Sequence, residues 1–435
     1  MEKAISNQLL DFIEKSPTCF HAVETLKNML NSEGFHGLQE SQAWVLKAGE
    51  KYYVTRNGSS LIAFALPETV NGFHIAASHS DSPTFKVKEI PELTVADKYT
   101  KLNVEGYGGM IMSTWFDRPL SVAGRVMVRT EKGIENRLVN VDQDLLVIPS
   151  VAIHMNRGVN EGYKYNVQKD LLPLYGTGSA KDSFMNCVAE AAGVAEDQIL
   201  GKDLYLYPRT KGCIWGAQSE FISSPRLDDL QSVFASLKGL LEAKKTGNVS
   251  MIAVLDNEEV GSSTKQGADS DFLKETVYRI CKELGMDTIE QRRIMASSFM
   301  VSADNAHAAH PNAMEKADAE NRPFMNEGVV IKYNGNQKYT SDAVSSAVFK
   351  MICERANVPY QTFMNRSDMA GGSTLGNISN TQLSMNTVDI GLAQLAMHSV
   401  YETAGVKDTI YMVQALKTFF ESRIVCVEDG IYNLE

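Results

Sequence analysis

The sequence predicts an α/β fold: a parallel-rich central sheet flanked by helices and interrupted by a β-rich insertion. Three observations predict it. Several continuous apolar runs end abruptly in a histidine or a carboxylate. Between them lie segments with apolar residues at helical spacing. From about 91 to 223 the texture changes to short strand signals with frequent turns. Strands that are apolar throughout are those buried on both faces, as in parallel sheets covered by helices.

The elements follow in order. Leu9, Leu10, Phe12 and Ile13, then Ala22, Val23, Leu26, Met29 and Leu30, mark two helices over residues 5–32, with Ser16-Pro17-Thr18 as punctuation. Strand signals occupy 51–55 and 60–65, and the apolar run 72–78 ends at His79. The insertion contains runs such as 122–128 and 204–208. Beyond it come a helix over 230–244, a strand over 249–255 ending in Asp256-Asn257-Glu258-Glu259, a strand over 298–303 ending at Asp304, and a helix over 342–356. The chain therefore divides into a discontinuous unit, 1–90 with 224–435, and an inserted unit, 91–223. No internal repeat is present.

Composition narrows the function. The 435 residues carry a net charge of −11, with 44% hydrophobic content. Such acidity lacks the basic footprint of a nucleic-acid binder or a polybasic membrane patch. No run approaches the roughly 20 apolar residues of a membrane span, and the first residues lead into an amphipathic pattern rather than an apolar signal core. The six cysteines contain no C-x-x-C pair and are expected as reduced, mostly buried thiols of a cytoplasmic protein.

The chemistry resides in five short stretches. His79-x-Asp81 has a common spacing for a metal histidine whose second ring nitrogen is oriented by a nearby group. Glu258-Glu259 places adjacent carboxylates at a strand end, where they repel unless a cation or proton intervenes. One could bind metal and the other take a proton from water. A solvated acidic turn is the plainer alternative. Asp304 shares that ambiguity, and His307 and His310 just beyond it fit supporting or surface roles equally. Asp228-Asp229 opens a helix, where acidic residues are favoured by the helix dipole alone. His398 lies in an apolar context that could simply bury it. His74, inside its strand, reads as a core histidine. Gly106-Tyr107-Gly108-Gly109 and Gly371-Gly372 read as turns or close backbone approaches. No G-x-S-x-G, S-x-x-K or Walker loop competes. Together these stretches hold two histidines, three carboxylates and a spare carboxylate beside a ligand, the inventory of a two-metal hydrolase.

In combination and order, the motifs HSDSPTFKVK, SPRLDDL, DNEEVGSSTKQGA, SADNAHAAHPN, GVVIKYNGNQKYTSDAVS and LAQLAMHSVYE resemble the M18-family metallopeptidases, the aspartyl aminopeptidase family, and its bacterial members in particular. They run from 79 to 402, so the resemblance spans essentially the whole chain. It implies a zinc aminopeptidase-like fold with an inserted β-rich dimerisation domain, and a dodecamer built from dimers. It also implies two divalent ions, zinc with cobalt or manganese as alternatives. His79 and Asp304 would bind one ion, Glu259 and His398 the other, and Asp228 would bridge them. Glu258 would be the general base, and Asp81 would orient His79. Lys332, with Tyr339 nearby, would face the substrate's first side chain, and His154 would reach a neighbouring subunit's active site.

The implied reaction removes N-terminal residues, Asp or Glu first, from peptides with a free amine, through a metal-bridging hydroxide. Two Zn²⁺ against three ligand carboxylates and one hydroxide give a neutral core, which favours ionising the bridging water. A lysine in a small pocket would discriminate against neutral residues because its buried charge would go unpaired; on residues alone, Lys332 reads as a surface lysine ending a strand. Two alternatives stand beside this expectation: an aminopeptidase of the same family preferring neutral residues, and a non-catalytic shell-forming scaffold.

Overall fold

The computed structural model describes residues 2–244 and 246–435. Its centre is a nine-stranded sheet in the order His36–Leu38, Lys51–Arg56, Ser60–Ala65, Val249–Leu255, Phe73–His79, Phe299–Ala303, Asn386–Gly391, Val329–Lys332, Tyr360–Phe363. The sheet is mixed but parallel-rich. Ser60–Ala65 runs antiparallel to both its neighbours, and Val329–Lys332 runs antiparallel to Asn386–Gly391. The four central strands are mutually parallel.

Strand periodicity assigns each residue to one of two cores. Ala76, Ile252, Val254 and Val301 face one side, where they meet Leu230, Phe234, Phe349 and Phe419 from the helices Leu227–Glu242, Ala343–Ala356 and Asp408–Glu421. Their neighbours Ile75, Ala77, Met251 and Met300 face the other, against Phe272, Val277 and Leu375 from the helices Phe272–Glu283 and Leu375–Gln382. Alternation with period two across a sheet covered on both faces explains the continuous apolar runs. Full burial of each such Phe or Leu contributes about 1.5–3 kcal/mol relative to exposure. The two N-terminal helices, Glu2–Glu14 and Cys19–Ser32, join the first of these cores.

A second sheet is antiparallel throughout. Its order is Gly133–Asn140, Leu120–Thr130, Ile199–Pro208, Thr84–Val95, Tyr99–Tyr107, Leu174–Thr177. It has its own core of Phe85, Val104, Trp115, Val122, Phe184 and Leu204. The sheet begins at Thr84, so the expected boundary at 91 falls inside a strand. The boundary at 223 falls within Phe221–Ser224, which belongs to a third, five-stranded sheet and pairs with Glu402–Gly405. Among the described residues no helix is long and apolar enough to cross a membrane. None of the cysteines is paired, and Cys19, Cys281 and Cys353 are buried while Cys213 is exposed.

This topology places the chemistry. Leu255 lies in register with His79, and Ser302 with Ala77, so three parallel strands end abreast. Ser224 pairs with Glu402 in the third sheet, which brings the chain before Asp228 beside the chain after His398.

Candidate metal centre

His79 is the last residue of its strand and is 1% exposed. Its Nδ1 lies 3.1 Å from the Asp81 carbonyl and 3.3 Å from Asp81 Oδ1. Donation from Nδ1 leaves Nε2 as the free lone pair, turned toward Asp228 Oδ1 at 3.4 Å and Asp304 Oδ1 at 4.0 Å. His398 Nε2 lies 3.5 Å from the other Asp228 oxygen, Oδ2, and 3.5 Å from Glu259 Oε2. Asp228 thus presents one oxygen to each imidazole.

The Asp228 position depends on a departure from the helical reading. Arg226 has φ +57°, and Asp228 has φ −81° with ψ 109°, neither of them helical. The helix-dipole account of Asp228 therefore fails: the residue is held in an extended kink that turns its carboxylate inward. Asp229 is fully buried, and its Oδ2 accepts from the His79 N–H at 3.1 Å.

Asp81 ties the parts together. Its oxygens accept from the Glu258 and Glu259 backbone N–H groups, each at 3.2 Å, and from the Tyr107 hydroxyl at 2.7 Å. Gly108 follows with φ +73°, and a Cβ there would lie 3.0 Å from Glu259 Cβ. This is the close backbone approach that the glycine cluster suggested. Glu402 accepts from the Asp228 N–H at 3.0 Å and the His398 N–H at 2.7 Å, bracing both residues from behind. Asn305 donates to Gln231, Gln394 and the Leu227 carbonyl beneath them.

Among the described residues, three groups of side chains offer ligand atoms within 4.8 Å of one another: His79, Asp228, Asp229 and Asp304; His79, Glu258 and Glu259; Asp228, Glu259 and His398. Their electrostatics are those of a site built for added positive charge. Burial, then the neighbouring carboxylates, raises Glu259 and Asp304 above the usual carboxylate range. Burial likewise pushes Glu258 up to about 7. Burial acts to lower His79, but the Asp228, Asp229 and Asp81 carboxylates hold it well above its ordinary value. Asp228 Oδ1 and Glu259 Oε1 are buried without a hydrogen-bond partner. Orphaned buried carboxylate oxygens are costly. A divalent ion on each side of Asp228 would satisfy them, so the donor set fits a metal pair.

Lys332 ends its strand as expected but is not on the surface. It is 2% exposed, its Nζ 2.7 Å from the Asp304 carbonyl, 3.4 Å from Asp304 Oδ2 and 5.1 Å from the Tyr339 ring centre. Burial alone would lower it, but Asp304 holds the ammonium above its usual value. His154 lies in an exposed segment and belongs to none of the three groups. His307 and His310 are exposed and also stand outside them. His398 is not enclosed by its apolar neighbours, since a third of its side chain is accessible.

Reading the residues one by one did not single out Asp229, Tyr107, Asn305 or Glu402. Asp229 and Asn305 each adjoin a ligand candidate, which was the available signal. Tyr107 sits inside the glycine cluster, and Glu402 is four residues beyond His398.

A family profile described as "Aminopeptidase I zinc metalloprotease (M18)" matches residues 12–420. A probable M18 family aminopeptidase 2 from Clostridium novyi is 47% identical over 424 residues, covering 95% of this chain and 98% of the relative. Its counterpart from Pseudomonas aeruginosa is 40% identical over 431 residues, covering 97% and 99%. Among solved structures, Ape4 in complex with Nbr1 superposes with a TM-score of 0.94 at 36% identity, covering 97% of this chain and 86% of that one. The mApe1 dodecamer of S. cerevisiae gives 0.84 at 28%, covering 96% of each chain.

Proposed function

The chain belongs to the M18 family of zinc metalloproteases and is a metal-dependent aminopeptidase; from that premise we propose that it uses two divalent ions to remove acidic N-terminal residues from peptides. The observation that carries the two-ion reading is Asp228, whose oxygens face His79 on one side and His398 on the other. His79 and Asp304 would hold one ion, Glu259 and His398 the second, with Asp228 shared. When bound, the pair would supply Lewis acidity to the scissile carbonyl and a lowered pKa for the attacking water.

The chain's own residues do the rest. Glu258, anchored through its N–H to Asp81 and raised to about 7, is suited to accept a proton and return it to the leaving amine. Asp81 fixes the His79 ring so that Nε2 faces inward. The Lys332 ammonium, buried against Tyr339, would recognise the carboxylate of an N-terminal Asp or Glu. A neutral side chain would leave that charge poorly paired. One observation favours the neutral-residue alternative: Lys332 already contacts the Asp304 carboxylate and carbonyl.

Assembly completes the proposal. The segment around His154 exposes Val151, Ile153 and Met155, the last at 82%. A shell built from dimers, as in the mApe1 dodecamer, would cover such residues and carry His154 to a partner's site. The test is hydrolysis of Asp-, Glu-, Leu- and Lys-led peptides by Zn²⁺- or Co²⁺-loaded protein. Glu258→Gln is expected to lower kcat by about 10²–10⁴-fold for every peptide. Lys332→Ala is expected to lose the acidic peptides selectively, by roughly 10²-fold. Faster cleavage of Leu-led peptides by the parent would reject the Lys332 assignment. Absence of cleavage by the metal-loaded, assembled protein would favour the scaffold reading instead.

A further inference from the structure

A cavity lies behind the metal cluster, where the two larger sheets meet. Its volume is about 50 Å³, on a scale where one water takes roughly 10–15 Å³. Pro17, Pro83, Tyr205 and Val400 give it apolar walls. Three carboxylates border it, Asp81, Asp228 and Glu402, but their oxygens are turned elsewhere. Asp81 accepts from Glu258, Glu259 and Tyr107, Glu402 accepts from the Asp228 and His398 N–H groups, and Asp228 faces the two imidazoles.

Two other groups on the wall are uncommitted, and both are donors. Arg226 donates from Nη2 to the Ile13 carbonyl at 3.2 Å. Its Nε and Nη1 are buried with no partner. The Trp115 indole, 2% exposed, also has a buried Nε1 with no partner. The Arg226 guanidinium is charged at neutral pH. A buried cation without a bonded counter-charge is costly, and two free donors on one wall complement a ligand that accepts.

We propose that this cavity binds a small monovalent oxyanion of the formate, acetate or bicarbonate class, held between Arg226 and Trp115. The proline and valine walls suit a hydrogen or methyl substituent. Ser82 Oγ, on the cavity wall, donates to the Asp228 carbonyl at 2.9 Å. An occupant would therefore press on the loop that carries Asp228.

The test is calorimetric titration of formate, acetate and bicarbonate into the metal-loaded, full-length protein in a buffer free of other carboxylates. Saturable binding of one anion per chain is expected. Trp115→Phe keeps the shape and deletes one donor. It should weaken binding by roughly tenfold, the factor lost with one hydrogen bond to a charged acceptor. Arg226→Met should abolish binding. An isotherm unchanged by Trp115→Phe would overturn the proposal and place the anion on the metals or the surface, and so would the absence of saturable binding to the parent. The tryptophan variant keeps the test decisive should the arginine variant not fold.

Discussion

His74 and His79 occupy one strand, both are buried, at 0% and 1% exposure, and they live in opposite environments. In the middle of the strand His74 stacks on Phe419, ring centres 4.7 Å apart, and its Nδ1 lies 2.9 Å from the Phe419 carbonyl. Burial there lowers its pKa to about 4, so it is a neutral core residue. At the strand's end His79 is ringed by carboxylates that raise it. Burial alone does not make a histidine functional. What distinguishes the two is whether the parallel strands alongside continue as apolar residues or terminate in acids.

The comparison can be broken at either end. The largest effect is expected at the strand's end. His79→Leu should lose both metal and activity, and elemental analysis should show the metal-to-protein ratio fall while the fold persists. Retention of a full metal complement would dissolve the contrast. Next comes Asp81→Asn, which keeps the shape but weakens the hold on the His79 ring and the Glu258 turn. It should cost about 10–100-fold in metal affinity or activity, as removal of an orienting partner does. Glu402→Gln should cost a similar or smaller factor. One of its two backbone N–H partners would then meet an amide NH₂ instead of an acceptor, and competition with a chelator would reveal the loosened site.

The smallest functional effect belongs to His74→Leu, where activity should stay within about twofold because no reacting group is touched. Its signature is in stability against pH. The folded-state pKa of about 4 lies below the unfolded value of roughly 6.5. Between those values the unfolded chain binds a proton that the folded chain refuses. Stability from this residue is therefore complete above about pH 6.5 and is lost as pH falls toward 4, by roughly 2–4 kcal/mol. Denaturant titrations of parent and variant across that window should converge toward acid pH if His74 is the neutral core residue described, and run parallel if it is not.

Much of this was legible in the sequence. Apolar runs ending in His79, Glu258-Glu259 and Asp304 marked strand ends because only a doubly covered sheet makes such runs. What escaped was geometry set by distant chain. Asp228-Asp229 carries an ordinary helix-start signature, and nothing local reveals the positive φ at Arg226 or the extended Asp228 that re-aim the carboxylate. Lys332 reads as a surface lysine ending a strand, and only the fold shows Asp304 and Tyr339 closing over it. Glu402 lay inside a recognised motif, but its role follows from the pairing of Ser224 with Glu402. The mixed strand directions were likewise invisible, because burial on both faces gives the same pattern whichever way a strand runs.

The groups around Asp228 come from positions 79, 228, 258–259, 304 and 398, and Glu402 braces them. Each is delivered by a different strand or turn of the finished sheets. The proposed set cannot come together until the chain has been made as far as His398 and Glu402. On the proposed ligand assignment, a chain that stops before His398 would lack one ion's histidine and would be inactive. The scattering of these positions along the polypeptide ties peptidase activity to the finished fold rather than to any one segment of it.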